Sequence, residues 1–213
     1  MDKVSFVKPA EIEAESMRII GEELKDRGII LREETSFVVK RVIHATADFD
    51  FAEELMFTPG AVPAGISALQ AGVPVITDTN MALSGVSAPG LSRLGGEKFC
   101  FMADDDIAFS AKERGITRAA ASMEKAAGLY PGGIYAVGNA PTALFEIVRQ
   151  MERGLRPALV IAVPVGFVNV VEAKKEVWDA CVSSGFPCIA AMGRKGGSSV
   201  AAAILNALIY KAA

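Results

Sequence analysis

Histidine is nearly missing from this chain: His44 is the single one in 213 residues. That scarcity excludes a zinc site built on histidine ligands. The cysteines do not replace it, because Cys100, Cys181 and Cys188 lack metal-ligand spacing. Three cysteines are also too few and odd in number for a disulfide framework, and they fit a reducing cytoplasm. Long apolar runs are lacking as well. The longest, 158–168, is interrupted by Pro164 and Gly166 and is too short to cross a bilayer. The first fifteen residues carry charges throughout, so no signal peptide is expected.

An excess of positive charge is absent too. Twenty-two basic against 25 acidic residues leave a net charge of −3, with no block of either sign. Nucleic acid finds no footprint here, and a polyanionic ligand must be met by local arginines rather than by an overall field. Aromatics are few. The apolar half of the chain is mostly Ala, Val, Ile and Leu, accompanied by 20 glycines, which suits helices packed closely on a sheet. Little charged surface for the length points to an oligomer.

What is present is an alternation of helical and strand patterns. Helices are expected over 9–27, 33–45, 60–71, 80–86, 104–115, 117–127, 141–152, 169–184 and 198–210. The first carries Ile12, Met17, Ile19, Ile20 and Leu24 on one side and stops at Gly28. Asp104 to Asp106 cap one helix, Gly128 closes another, and Asn169 with Glu172 forms a capping pair for a third. Between them lie five short apolar strands: 73–78, 98–103, 133–137, 158–165 and 187–191. Strands apolar throughout and separated by helices predict a mostly parallel, doubly wound α/β sheet covered on both faces, in one domain spanning 1–213.

His44 sits near the end of the second helix. Phe37, Arg41, His44 and Asp48 recur at spacings of four, three and four and share one stripe. The stripe carries a fixed cation, an imidazole and a carboxylate, and Asp48 is placed to orient the ring. Histidine is the residue type suited to proton transfer near neutrality. A lone histidine on such a helix is also compatible with an ordinary half-buried role, and Ser16 alone reads as a neutral surface residue.

In this type of sheet, ligands bind beyond the carboxyl ends of the strands, where strand order reverses. Three strand-to-helix loops fit that position. Gly138-Asn139-Ala140-Pro141-Thr142 combines a turn, a donor–acceptor side chain and a helix start. Gly193-Arg194-Lys195-Gly196-Gly197-Ser198-Ser199 brings two cations and a flexible backbone to another helix start, a plausible carboxylate or phosphate seat. Val163 to Asn169, with Pro164 and Gly166, reads as a shaped wall or as simple packing. Neither a Walker A loop nor a G-x-G-x-x-G fingerprint follows any strand. Arg41, Arg118 and Arg194 are each ordinary surface arginines unless a multi-carboxylate ligand gathers them.

Taken in order, several of these stretches resemble the precorrin-8X methylmutase (precorrin isomerase) family. They are Ile12-Glu13-x-x-Ser16, Arg41-Val42-Ile43-His44-Ala45, Gly138-Asn139-Ala140-Pro141-Thr142-Ala143-Leu144, Pro164-Val165-Gly166-Phe167-Val168 with Glu172, and Gly196-Gly197-Ser198. The likeness runs over about 12–208. It implies a flavodoxin-like homodimer with its active site near the subunit interface, and a cytoplasmic isomerase of cobalamin biosynthesis. The reaction implied moves a methyl group from C-11 to C-12 of precorrin-8X or cobalt-precorrin-8, giving hydrogenobyrinic or cobyrinic acid. The resemblance makes His44 the catalytic residue and Ser16 and Arg41 substrate contacts. Arg118, Asn139, Gly197 and Ser198 are expected to extend that contact, and 80–87 receive no role. A methyl shift within one macrocycle needs no redox cofactor and no protein nucleophile, so no cofactor and no protein-held metal are expected. Two other classes fit the same pattern: a non-catalytic corrinoid or tetrapyrrole binding protein, and a flavodoxin-like domain binding FMN or NAD.

Overall fold

The computed structural model describes Lys8 and residues 11–213. The start expected for the first helix, at residue 9, lies outside them. Six strands form one sheet: β1 (Leu55–Phe57), β2 (Val75–Thr77), β3 (Lys98–Phe99), β4 (Ile134–Val137), β5 (Leu159–Ala162) and β6 (Cys188–Ala191). Their order is β1-β6-β5-β4-β2-β3, parallel throughout except for β1, which runs antiparallel to β6. Every residue of β2, β4, β5 and β6 is buried.

That burial follows from two helical layers. Ile134, Ala136, Leu159, Ile161, Ile189 and Ala191 face one apolar cluster, while Tyr135, Val137, Val160, Ala162, Cys188 and Ala190 face the other. The first cluster is completed by α1 (Ile12–Asp26), α2 (Glu33–Thr46), α4 (Ala61–Gln70) and α11 (Ser198–Ala212). The second is completed by α8 (Arg118–Leu129), α9 (Pro141–Glu152) and α10 (Val170–Ser184). Short helices α3 (Phe51–Glu54), α5 (Asn80–Gly85), α6 (Ala88–Arg93) and α7 (Asp105–Arg114) fill the connections. Among the described residues no helix is long and apolar enough to cross a membrane.

The α/β architecture agrees with the sequence reading, but the strand count is six rather than five. β1 was not anticipated, because its apolar run is only three residues long and only Leu55 of it is buried. Its support is non-local: the Thr58 hydroxyl donates to the Cys188 carbonyl at 3.3 Å and accepts the Cys188 N–H at 2.8 Å. The 98–103 strand contracts to Lys98–Phe99 at the sheet edge. α6 was also unforeseen, and α8 runs through Gly128 to Leu129, where Tyr130 rather than a glycine forms the C-cap. Neither Asp104 nor Asn169 makes a side-chain cap hydrogen bond; Asn169 turns the chain instead through a left-handed φ of 57°. On α1 only Ile20 and Leu24 are buried, leaving Ile12 and Ile19 half exposed.

Candidate active site

The buried side of α2 consists of Val38, Val39, Val42 and Ile43, which packs that helix into the first cluster. Helical geometry then turns His44 outward, in the last turn of the helix. α1 crosses beside it. Between the two lies a cleft of about 210 Å³ lined by Ser16, Ile19, Ile20, Glu23, Ile43, His44, Ala47 and Phe49. The half-exposed Ile19 gives this cleft an apolar wall. Ser16 Oγ donates to the Ile12 carbonyl at 2.8 Å, which fixes the hydroxyl on the cleft side of α1.

Arg41, one turn before His44, is held on two sides. Its guanidinium donates to Glu13 at 2.5 Å and lies 5.3 Å from the centre of the Tyr210 ring. The hydrogen bond from Arg41 keeps the Glu13 carboxyl below its usual range, despite partial burial, and the charges of Arg41 and His44 act in the same direction. Asp48 does not continue the stripe. Ala47 takes a left-handed φ of 54° and ends the helix, so Asp48 leaves the His44 face and accepts from Lys195 Nζ at 2.7 Å. Lys195 also pairs with Asp50. Asp48 thus joins the end of α2 to the loop after β6 instead of orienting the imidazole.

The five parallel strands run in the order 2-1-3-4-5 when numbered among themselves, and the order reverses between β2 and β4. At that reversal Asp78, directly after β2, is fully buried. Its Oδ1 accepts the Gly138 N–H at 2.9 Å; its Oδ2 accepts the Asn139 and Ala140 N–H groups, both at 2.8 Å. Burial raises its pKa and the three amides oppose that rise. Thr79 caps α5 by accepting from Ala82 N at 3.1 Å and shares a 2.8 Å hydrogen bond with the Ser198 hydroxyl.

Two glycine loops meet here. A Cβ on Gly138 would lie 2.7 Å from Ser198 Cα and 2.9 Å from the Gly197 carbonyl oxygen, so glycine is needed for close approach rather than for a turn. Gly196 adopts a φ of 156°, and a Cβ there would stand 2.2 Å from the Val163 carbonyl oxygen. Gly197 N donates to that same carbonyl at 2.9 Å. Asn139 projects from this junction with an exposed side chain.

The sequence-expected residues therefore fall into two groups. Ser16 and His44 share one cleft with Arg41 adjoining, and Asn139, Gly197 and Ser198 converge at the strand-order reversal. The Asp48–Lys195 ion pair ties the two regions together. Arg118 joins neither by direct contact among the described residues. It is the exposed first residue of α8, next to Thr117, whose hydroxyl bonds Thr142 at 2.7 Å at the start of α9. Sequence reading overlooked Asp78 and Thr79. Their signal was there: polar residues directly following the apolar-led strand Val75-Ile76-Thr77 must find partners when buried.

The precorrin-8X methylmutase family model matches residues 11–211. The chain belongs to this family. A cobalt-precorrin-8 methylmutase from Priestia megaterium is 41% identical over 203 residues, covering 95% of this chain and 88% of that protein. One from Salmonella typhimurium is 41% identical over 207 residues, covering 95% of each. A precorrin-8X methylmutase from Pseudomonas aeruginosa is 39% identical over 169 residues, covering 79% of this chain and 80% of its own. The crystal structure of precorrin-8X methylmutase from Thermus thermophilus superposes with a TM-score of 0.85 at 40% identity, over 95% of this chain and 97% of that one. As a precorrin-8X methylmutase family member, this chain is an isomerase of cobalamin biosynthesis.

Proposed function

We propose that this chain moves a methyl group from C-11 to C-12 of precorrin-8X or cobalt-precorrin-8, with His44 as general acid/base. The observation that carries the reading is the His44 cleft: the chain's single imidazole stands on an exposed helix face, beside Ser16 and one turn from a held arginine. Proton donation to the ring localises charge along the migrating path, and the imidazole recovers the proton once the methyl has moved. Such assistance is typically worth ~10²–10⁴ in rate, and holding the macrocycle rigidly supplies much of the rest.

The substrate's acetate and propionate arms require charge-assisted partners. Ser16 and Arg41 bind beside His44; Asn139, Gly197 and Ser198, with Arg118, bind a further part of the ring periphery. We further propose that the single domain acts as a cytoplasmic homodimer, without a cofactor or a protein-held metal. In favour of the dimer is the loop after β5, where Phe167 and Val168 are 82% and 76% exposed, an apolar crest costly to leave in water.

The test compares wild type with His44→Ala on metal-free and cobalt-bearing precorrin-8. Retained binding of the corrin product with methyl transfer reduced by about 10²-fold or more supports the proposal. A wild-type protein that binds but never converts either substrate is a corrinoid carrier, and tight FMN or NAD binding contradicts the reading altogether.

A further inference from the structure

Lys174, on α10, has no solvent exposure, alone among the described lysines and arginines. A buried ammonium is costly unless its donors are used. Its Nζ donates to the Gly193 carbonyl at 3.0 Å and to the Lys195 carbonyl at 2.7 Å. The carbonyl between them, that of Arg194, accepts from Gly166 N at 3.2 Å. Three consecutive carbonyls of the loop after β6 are thus turned into the protein. The opposite face of the same backbone carries N–H groups, and those of Arg194, Lys195 and Gly196 have no acceptor among the described residues. Two cationic side chains flank them. Glu54, from α3, completes the arrangement from below: its carbonyl accepts Met192 N at 2.9 Å, and its buried Oε2 has no hydrogen-bond donor.

We propose that Lys174 is a positioning residue of the corrinoid site, holding the Gly193–Lys195 carbonyls inward so that the loop's unpaired N–H groups seat a carboxylate arm of the substrate. This rests on the reading that the chain binds a corrin polycarboxylate. The ammonium never touches the ligand; it dictates which side of the backbone the ligand meets. Burial pushes the Lys174 pKa down to about 8, opposed by the nearby Glu54 carboxylate. The other charges in this region are Arg194, whose guanidinium lies over the Phe167 ring, and Lys195 with its partners Asp48 and Asp50, which keep Lys195 protonated well above its usual range. β5 and β6, against which α10 packs, contain no charged residue, and on α9 Glu146 and Arg149 pair with each other. Deprotonation near pH 8 leaves two N–H donors for the two carbonyls but removes the positive charge that strengthens both bonds, while Lys195 keeps its charge.

The experiment titrates wild type and Lys174→Met with hydrogenobyrinic acid across roughly pH 7 to 9.5, with precorrin-8 turnover measured in parallel. In wild type the affinity falls as pH rises through about 8. The methionine variant binds roughly tenfold or more weakly at neutral pH, with no further loss across that range. Equal affinity in the two proteins, or an unchanged alkaline loss in the variant, overturns the proposal. Should the variant not fold, the wild-type profile decides, and a flat one overturns it. Absence of turnover in a wild type that still binds, with the pH dependence described, contradicts the methyl-shift reading and leaves the role of Lys174 supported. A wild type that does not bind the corrin at all overturns both.

Discussion

A carboxylate without exposed surface persists only if its oxygens are occupied, and Asp78 has three backbone N–H donors on two oxygens. Oδ1 takes one and Oδ2 takes two, so neither oxygen can be exchanged for an NH₂ group without setting donor against donor. Asp78→Asn is therefore expected to destabilise the fold by about 1–3 kcal/mol in urea unfolding and, in kinetics, to raise KM more than it lowers kcat. A variant with wild-type stability and KM would show that the Gly138–Ala140 loop holds its position without the clamp. His44 makes the contrasting case. The one carboxylate the sequence set beside it, Asp48, turns away to Lys195, and the cleft beside the imidazole arises only when α1 crosses α2. At this scale the sequence could nominate His44, Ser16 and Arg41 yet could not foresee that Asp48 would abandon the stripe, because a left-handed Ala47 is not a residue-type preference. Buried Asp78 and Lys174 escaped notice for a related reason: their partners are backbone groups 60 to 62 and 19 to 21 residues away.

Among elements, the long helices and the buried parallel strands were legible because their apolar periodicity is local. Pro141–Glu152 was read with both ends correct, its start marked by proline at the first turn. β1 and α6 were not, and β3 was read with its start correct but four residues too long, since such short elements draw their stability from neighbours rather than from pattern. The loops at the strand-order reversal carry Asn139 and Gly197, and glycine identity there is set by approach distance. Gly196→Ala would drive a Cβ to within 2.2 Å of the Val163 carbonyl oxygen at a φ of 156°. It is expected to cost about 1–3 kcal/mol in thermal or urea unfolding and to weaken corrin binding, whereas an unaffected protein would mean that the loop relocates freely. The junction of α2 with the same loop should respond to acid. The hydrogen bond from Lys195 holds the Asp48 carboxyl below its ordinary value of 3.8. A depressed folded-state pKa contributes stability that is complete above the unfolded value and is lost as pH falls through the folded one. Stability measured by urea unfolding should hence decline below about pH 4 through this pair, and Asp48→Asn should flatten that part of the acid limb. An acid limb identical in both proteins would deny the pair any such role.

For the whole molecule, the sheet order places two sets of residues on a shared framework. One lies at the strand-order reversal between β2 and β4, the other along α1 and α2, with Lys195 bridging them. Mostly parallel topology could be inferred from unbroken apolar strands; the reversal point could not, because it depends on which strand follows which across the sheet. Family membership fixes the class of reaction, isomerisation within cobalamin biosynthesis, and the geometry supplies a candidate for its proton chemistry. The most direct test labels the migrating C-11 methyl of cobalt-precorrin-8 with carbon-13 and follows it by NMR with wild-type protein and with His44→Ala. The account predicts that the label moves to C-12 with wild type and stays on C-11 with the bound variant; transfer by the variant at the wild-type rate would contradict it.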